Sequence, residues 1–224
     1  MEITKSLFGG IVATAILAAG AAARADVSYD LSVNYNGASP AGSPTWMTAT
    51  FANTATPGEV KLTVQTSLQD PSEFVGEFFF NTVDAQDGHV SIKAGTWTDL
   101  VGTVGPVTSL DLSPHSQANF AYDYGINFPT ANTAARFNAT EEFSVILVSD
   151  LSAATDVLDE SDFFSQTPVR LNQQYSAGAF IQGIAIGGSG EIGDAGGSGS
   201  GVPEPASLSL LGLGAAGLLM RKRR

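Results

Sequence analysis

From Val27 to Tyr35 apolar and polar residues alternate, with Val27, Tyr29, Leu31, Val33 and Tyr35 on one side of an extended chain and polar residues between them. Val60, Leu62 and Val64 repeat the pattern against Glu59, Lys61, Thr63 and Gln65. Side chains of a strand point to opposite faces in turn, so each stretch predicts a strand half-buried against a core. Phe143 to Val148, FSVILV, is instead an unbroken apolar run of strand length, the mark of a central strand covered on both faces. Further strands are expected at 45–53, 74–81, 89–93, 107–112, 119–128 and 179–186, divided by turn pairs such as Asn36-Gly37, Pro57-Gly58, Asp87-Gly88 and Gly105-Pro106. Only 159–166, DESDFFSQ, invites a short helix, with Asp159 or Ser161 as its cap. Short strands without intervening helical patterns predict an all-β domain over residues 26–186, an antiparallel β-sandwich of jelly-roll-like form.

The two ends have a different texture. Lys5, an apolar stretch from Leu7 to Ala23, and then Ala23-Arg24-Ala25 read as a signal peptide over residues 1–25, a helix in its apolar part, with Ala23 and Ala25 at the signal peptidase cleavage site. Residues 187–201, GGSGEIGDAGGSGSG, hold little bulky apolar side chain except Ile192, and are expected to be a flexible linker. Val202-Pro203-Glu204-Pro205 follows, a short extended segment in which each proline fixes its own φ and restricts the residue before it. Ala206 to Met220 is apolar and uncharged, and Arg221, Lys222, Arg223 and Arg224 close the chain. At 1.5 Å per residue such a helix spans about 22 Å, less than the roughly 30 Å hydrocarbon core. The basic end resolves that ambiguity in favour of a transmembrane helix, because cations stay on the cytoplasmic side while an exported N-terminus places the rest outside.

The order of PEP segment, apolar helix and basic end over 202–224 resembles the C-terminal sorting signal of PEP-CTERM proteins, found in Gram-negative bacteria that export exopolysaccharide. The resemblance implies recognition by an exosortase-like processing enzyme, with Val202 to Pro205 as the sorting motif and Arg221 to Arg224 as the basic stop. It also implies transient anchoring in the inner membrane, removal of the tail, and release or attachment at the cell surface. The body is similar, more loosely, to β-rich domains that precede such tails, through FVGEFFFN (74–81), the INFP stretch ending at Pro129, and FIQGIAIGGSGEIGD (180–194). Relatives frequently carry an Asp-Gly-Asp-Gly loop before the FP segment, where this chain has SQANFAYDYG with Asp123 as its acid.

Charge and candidate chemistry narrow the functional classes. The chain holds 22 acidic and 10 basic residues, and between the terminal segments the cations are only Lys61, Lys93, Arg136 and Arg170. Such a surface repels polyanions, which excludes nucleic acid as a partner. Cysteine is absent, so neither a disulfide nor a thiolate metal site can form. His89 and His115 are the two histidines, and neither lies in a G-x-S-x-G or H-E-x-x-H context, which leaves serine and zinc chemistry without a signature. Asp84 and Asp87 beside Gly88 offer oxygens to Ca2+, though not at EF-hand spacing; apart from that ion no cofactor is expected. Trp97, Tyr122 and Tyr124 are candidate sugar contacts, the two tyrosines falling on one face at i and i+2 if the strand is continuous. The expectation is therefore a non-enzymatic exported surface or matrix protein associated with exopolysaccharide or biofilm. The alternatives are a carbohydrate-binding module and, behind it, a secreted hydrolase using paired carboxylates, for which no pair can be named.

Overall fold

The computed structural model describes residues 26–111, 115–117, 120–131, 134–151, 157–165, 174–185 and 187–195. Residues 1–25 and the whole of 196–224, which take in the signal segment and the end of the glycine-serine stretch, lie outside the described residues.

The strands among them are β1 (Val27–Gly37), β2 (Met47–Asn53), β3 (Glu59–Thr66), β4 (Phe74–Phe80), β5 (Val90–Ile92), β6 (Thr98–Val101), β7 (His115–Gln117), β8 (Phe120–Tyr122), β9 (Tyr124–Asn127), β10 (Phe137–Asn138), β11 (Glu142–Ser149), β12 (Ala177–Ile184) and β13 (Gly188–Asp194). An eleven-stranded sheet runs in the order β10-β4-β12-β13-β1-β2-β3-β11-β5, with β9 also pairing β4 and β6 also pairing β11. Every pairing is antiparallel, and β7 and β8 form a separate ribbon. All-β is thus the class. The expected two-sheet sandwich is replaced by one sheet curled into a half-barrel. Register shifts in β1–β13, β12–β13 and β4–β12 supply the bending, since an extra residue on one strand kinks it and increases the local twist.

The alternating stretches bury the predicted sides. Val27, Tyr29 and Leu31 of β1, Met47, Ala49 and Phe51 of β2, Val60, Leu62 and Val64 of β3, and Phe143, Val145 and Leu147 of β11 enter one core. At its centre Phe51 stacks on Phe163 with ring centroids 4.2 Å apart, and Phe80 stacks on Tyr124 at 5.3 Å. Each such ring contributes roughly 1.5–3 kcal/mol through area removed from water. Phe163 comes from the anticipated short helix, a 3-10 turn over Glu160–Phe163. The Asp159 side chain caps that turn by accepting from the Ser161 N–H, and Asp162 reciprocates at the Asp159 N–H.

Val33 and Tyr35 do not follow Leu31 inward. Leu31 pairs Asp194 but Val33 pairs Gly193, so two residues of β1 oppose one of β13, and the following side chains cross to the other face. There they meet Phe79, Tyr122, Tyr175 and Phe180 in a second, smaller cluster. That is why β4, FVGEFFF, is buried at every position: Phe78 and Phe80 face the main core and Phe79 the second cluster.

The linker boundary at 187 is also corrected. Gly188–Asp194 is β13, a central strand between β12 and β1 with Ile192 fully buried. Its glycines serve close approach rather than freedom: a Cβ on Gly190 would stand 1.9 Å from the Ala38 carbonyl oxygen. Elsewhere, the part of 107–112 that is described is not a strand; it meets the sheet through the Asp111–Gly125 bridge and the Asn127 amide on Asp111, and Val107 and Leu110 pack against the core. β6, exposed at all four positions, carries no alternation that would have announced it.

Candidate functional site

Two of the aromatic residues expected to meet sugars, Tyr122 and Tyr124, are placed in the interior, and the third, Trp97, is half-buried. Tyr122 ends β8 and Tyr124 begins β9, and the bend at Asp123 between them sends the two rings to different clusters, so the shared face does not form. Tyr122 stacks on Phe79 at 5.2 Å. Tyr124 accepts from the Val90 N–H at 3.0 Å and donates to the Gln86 carbonyl at 2.7 Å. Trp97 is half-buried, stacked on Phe143 at 4.3 Å with its indole N–H on Asp99. Neither tyrosine offers a free ring face of the kind sugar stacking needs, and Trp97 has one face taken by Phe143.

Asp84 opens a 3-10 turn over Asp84–Gln86, and Asp87 follows it. Both are exposed and lie near Asp123, whose carboxyl accepts from the Thr82 N–H at 2.8 Å. Burial pushes the Asp123 pKa up, and the charges of Asp87 and Asp84 add to the effect. Among the described residues no group of three or more His, Asp or Glu side chains converges as a metal site. His89 meets Asp150 at 2.8 Å, both at the surface, where such a pair contributes little. The side chain of His115 lies outside the described residues.

Other buried carboxylates hold the framework. Glu73 accepts from the Ala41 N–H, Glu191 from the Asn36 amide, and Asp194 from the Ser176 and Ala177 N–H groups. Burial raises the pKa of Glu73 and of Glu191.

Sequence reasoning named none of the residues on the outer face of β1, β2, β3 and β11 as a candidate contact. Cross-strand register aligns Ser28, Thr50, Thr63 and Ser144 in one row and Asp30, Thr48, Gln65 and Glu142 in the next. The face carries a groove of about 350 Å³ whose walls include Thr48, Thr50, Lys61, Thr63, Gln65 and Glu142. Ser28 and Thr50 hydroxyls are 3.0 Å apart, and Thr48 donates to Asp30 at 3.0 Å. Lys61, Thr63, Gln65 and Glu142 have no side-chain hydrogen-bond or ion-pair partner among the described residues. The other described body cations are engaged: Lys93 on Glu59 at 2.5 Å, and Arg136 over the Phe74 ring at 4.0 Å and on the Thr130 carbonyl. The polar half of the β3 alternation was the available signal, but only the register of four strands turns it into a surface.

The protein-family profile described as the PEP-CTERM protein-sorting motif matches residues 201–224. The chain carries a PEP-CTERM sorting signal. Val202 to Pro205 and Arg221 to Arg224 fall inside that match and outside the described residues, and Ala23 and Ala25 fall outside both. The PEP-CTERM signal makes this a sorted, exported protein of the exosortase system, processed by a membrane protease-like enzyme. Among the described residues no helix is long and apolar enough to cross a membrane. The match covers the tail alone, and neither a curated protein nor a solved structure matches the chain.

Proposed function

We propose that the β domain is a non-enzymatic passenger of the exosortase system that works in the extracellular matrix. It crosses the inner membrane behind a signal peptide cut after Ala25. Residues 206–220 then hold it in the membrane until the tail is processed near Val202 to Pro205, after which it resides at the cell surface or in the exopolysaccharide of a biofilm. The observation that carries this reading is the PEP-CTERM signal at residues 201–224. Support comes from the use made of acids inside the fold: the buried Glu73 and Asp194 and the half-buried Asp123 accept backbone N–H groups, and the buried Glu191 accepts from an amide, which is framework work.

Intact-mass spectrometry of the protein from medium, cell surface and membrane of the native host tests the reading. A surface or medium form beginning at Asp26 and ending within 202–205 is expected. Replacing Glu204 by Ala should shift the protein to a membrane-retained form that still has its tail. Wild-type protein found only in the membrane with residues 206–224 attached overturns the proposal.

A further inference from the structure

The groove lined by Asp26 and by residues of β2, β3 and β11 has hydrogen-bonding capacity that the fold does not use. Thr63 offers a hydroxyl that both donates and accepts, Gln65 an amide that does both, Lys61 three donors and Glu142 an acceptor pair. All four lack a side-chain partner among the described residues, and all but Gln65 are half-buried, so they form the floor of a groove rather than the tips of a solvated face. Register places Glu142 opposite Gln65 and Ser144 opposite Thr63, so the groups stand on a lattice about 4.8 Å apart from strand to strand.

The inventory selects among occupants. A polyanion needs several cations, and this groove has one, in a chain with formal net charge −12. Against a cationic peptide stands the Lys61 ammonium, which shares the lining with the Asp26 and Glu142 carboxylates. An apolar partner finds little to bury, because Ala52 is the apolar residue of the lining. A neutral chain dense in hydroxyl groups suits it, since each hydroxyl can donate to Glu142 or Gln65 and accept from Lys61 or Thr63. A neutral ligand brings no charge of its own against the Lys61 cation or the Asp26 and Glu142 carboxylates of the lining.

We propose that this groove binds a neutral, hydroxyl-rich glycan strand, with Lys61, Thr63, Gln65 and Glu142 as the contact residues. The inference deepens the matrix reading by naming the chemistry of the partner, and it places the contact away from Trp97, Tyr122 and Tyr124.

The test uses the full chain, purified in mild detergent, on an array of immobilised neutral oligosaccharides beside uronic-acid oligosaccharides. At least one neutral glycan should be retained. The double variant Lys61→Met/Thr63→Val keeps the lysine stem and the β-branched shape, and should melt as wild type does while binding that glycan at least tenfold more weakly. Lys61→Arg, which preserves donors at that position, should bind within about threefold of wild type. Retention of no neutral glycan, preference for the uronic acids, or unchanged binding by the double variant overturns the proposal. If the double variant itself fails to melt as wild type, Glu142→Gln and Lys61→Met are measured singly, and glycan binding unaffected by both overturns it equally. Failure here with normal processing and surface release removes the glycan site and leaves the matrix reading standing. Failure of release in the mass experiment removes the matrix reading whatever the array shows.

Discussion

Ile192 decides between two descriptions of the stretch that precedes the sorting signal. In a flexible linker its side chain touches nothing, and replacing it by alanine changes stability by less than about 0.5 kcal/mol. In β13 the side chain is fully buried in the main core, within a strand paired on both sides. Truncation of a buried isoleucine to alanine costs roughly 2–5 kcal/mol, the removed transfer energy plus the cavity left behind. For a domain of this size each kcal/mol moves the melting temperature by about 2–4 °C, so Ile192→Ala should lower it by about 4–20 °C. Gly190→Ala gives an independent arm. A linker ignores a methyl group, whereas β13 would have to accommodate a Cβ 1.9 Å from the Ala38 carbonyl oxygen, which forces the strand outward. Both variants should therefore melt well below wild type, while Ser189→Ala, at an exposed position of the same strand, should not. The assay is a thermal melt followed by near-ultraviolet circular dichroism, which reads the stacked aromatic core. A shift below about 2 °C for Ile192→Ala, with Gly190→Ala also neutral, would refute the placement of β13 in the sheet.

Glu191 should make stability depend on pH. Burial raises its folded pKa above the unfolded value of about 4.3, so the folded state binds the proton more tightly. Its contribution is fully present below the unfolded pKa and is lost as pH rises through the folded one. Glu191→Gln should accordingly raise the melting temperature at pH 7 and flatten its fall from acid toward neutral pH; a lower melting temperature at pH 7 would contradict this. Trp97→Ala should cost about 2 kcal/mol, because a half-buried ring stacked on Phe143 at 4.3 Å is removed, and should leave glycan retention unchanged. Loss of retention without loss of stability would show that Trp97 works as a ligand contact after all.

How far the fold could be read depended on whether each residue's role was local. Val27, Tyr29 and Leu31 alternate because β1 has one covered side there, and the alternation is visible in any extended chain. The switch at Val33 is not visible, because it arises from the register of β1 against β13, more than 150 positions later. The same long-range pairing hides β13 itself. Composition counts small side chains as freedom, but a glycine pressed against another backbone is as fixed as any core residue. Only Ile192 betrayed the strand, a single fully buried apolar side chain in a stretch otherwise without bulk.

The candidate sites show the same division at the level of chemistry. A sorting signal is read as a linear segment, so the PEP motif, apolar run and basic end were legible together. A surface site depends on which face a side chain takes, and at Asp123 one bend reverses that choice. Tyr122 and Tyr124, two residues apart, would share a face in a continuous strand, yet one ring lies against Phe79 and the other against Phe80. Conversely Thr63 and Glu142, far apart in sequence, become neighbours on one face because β3 pairs β11 with Gln65 opposite Glu142 and Thr63 opposite Ser144. Aromatic residues drew attention as sugar contacts because their chemistry is conspicuous, but in a half-barrel whose core packs phenylalanine and tyrosine among its aliphatic side chains those rings have a stronger claim on the interior. The polar groups left outside are then the ones with capacity to spare, and Lys61 stands out because Lys93 and Arg136 already have partners.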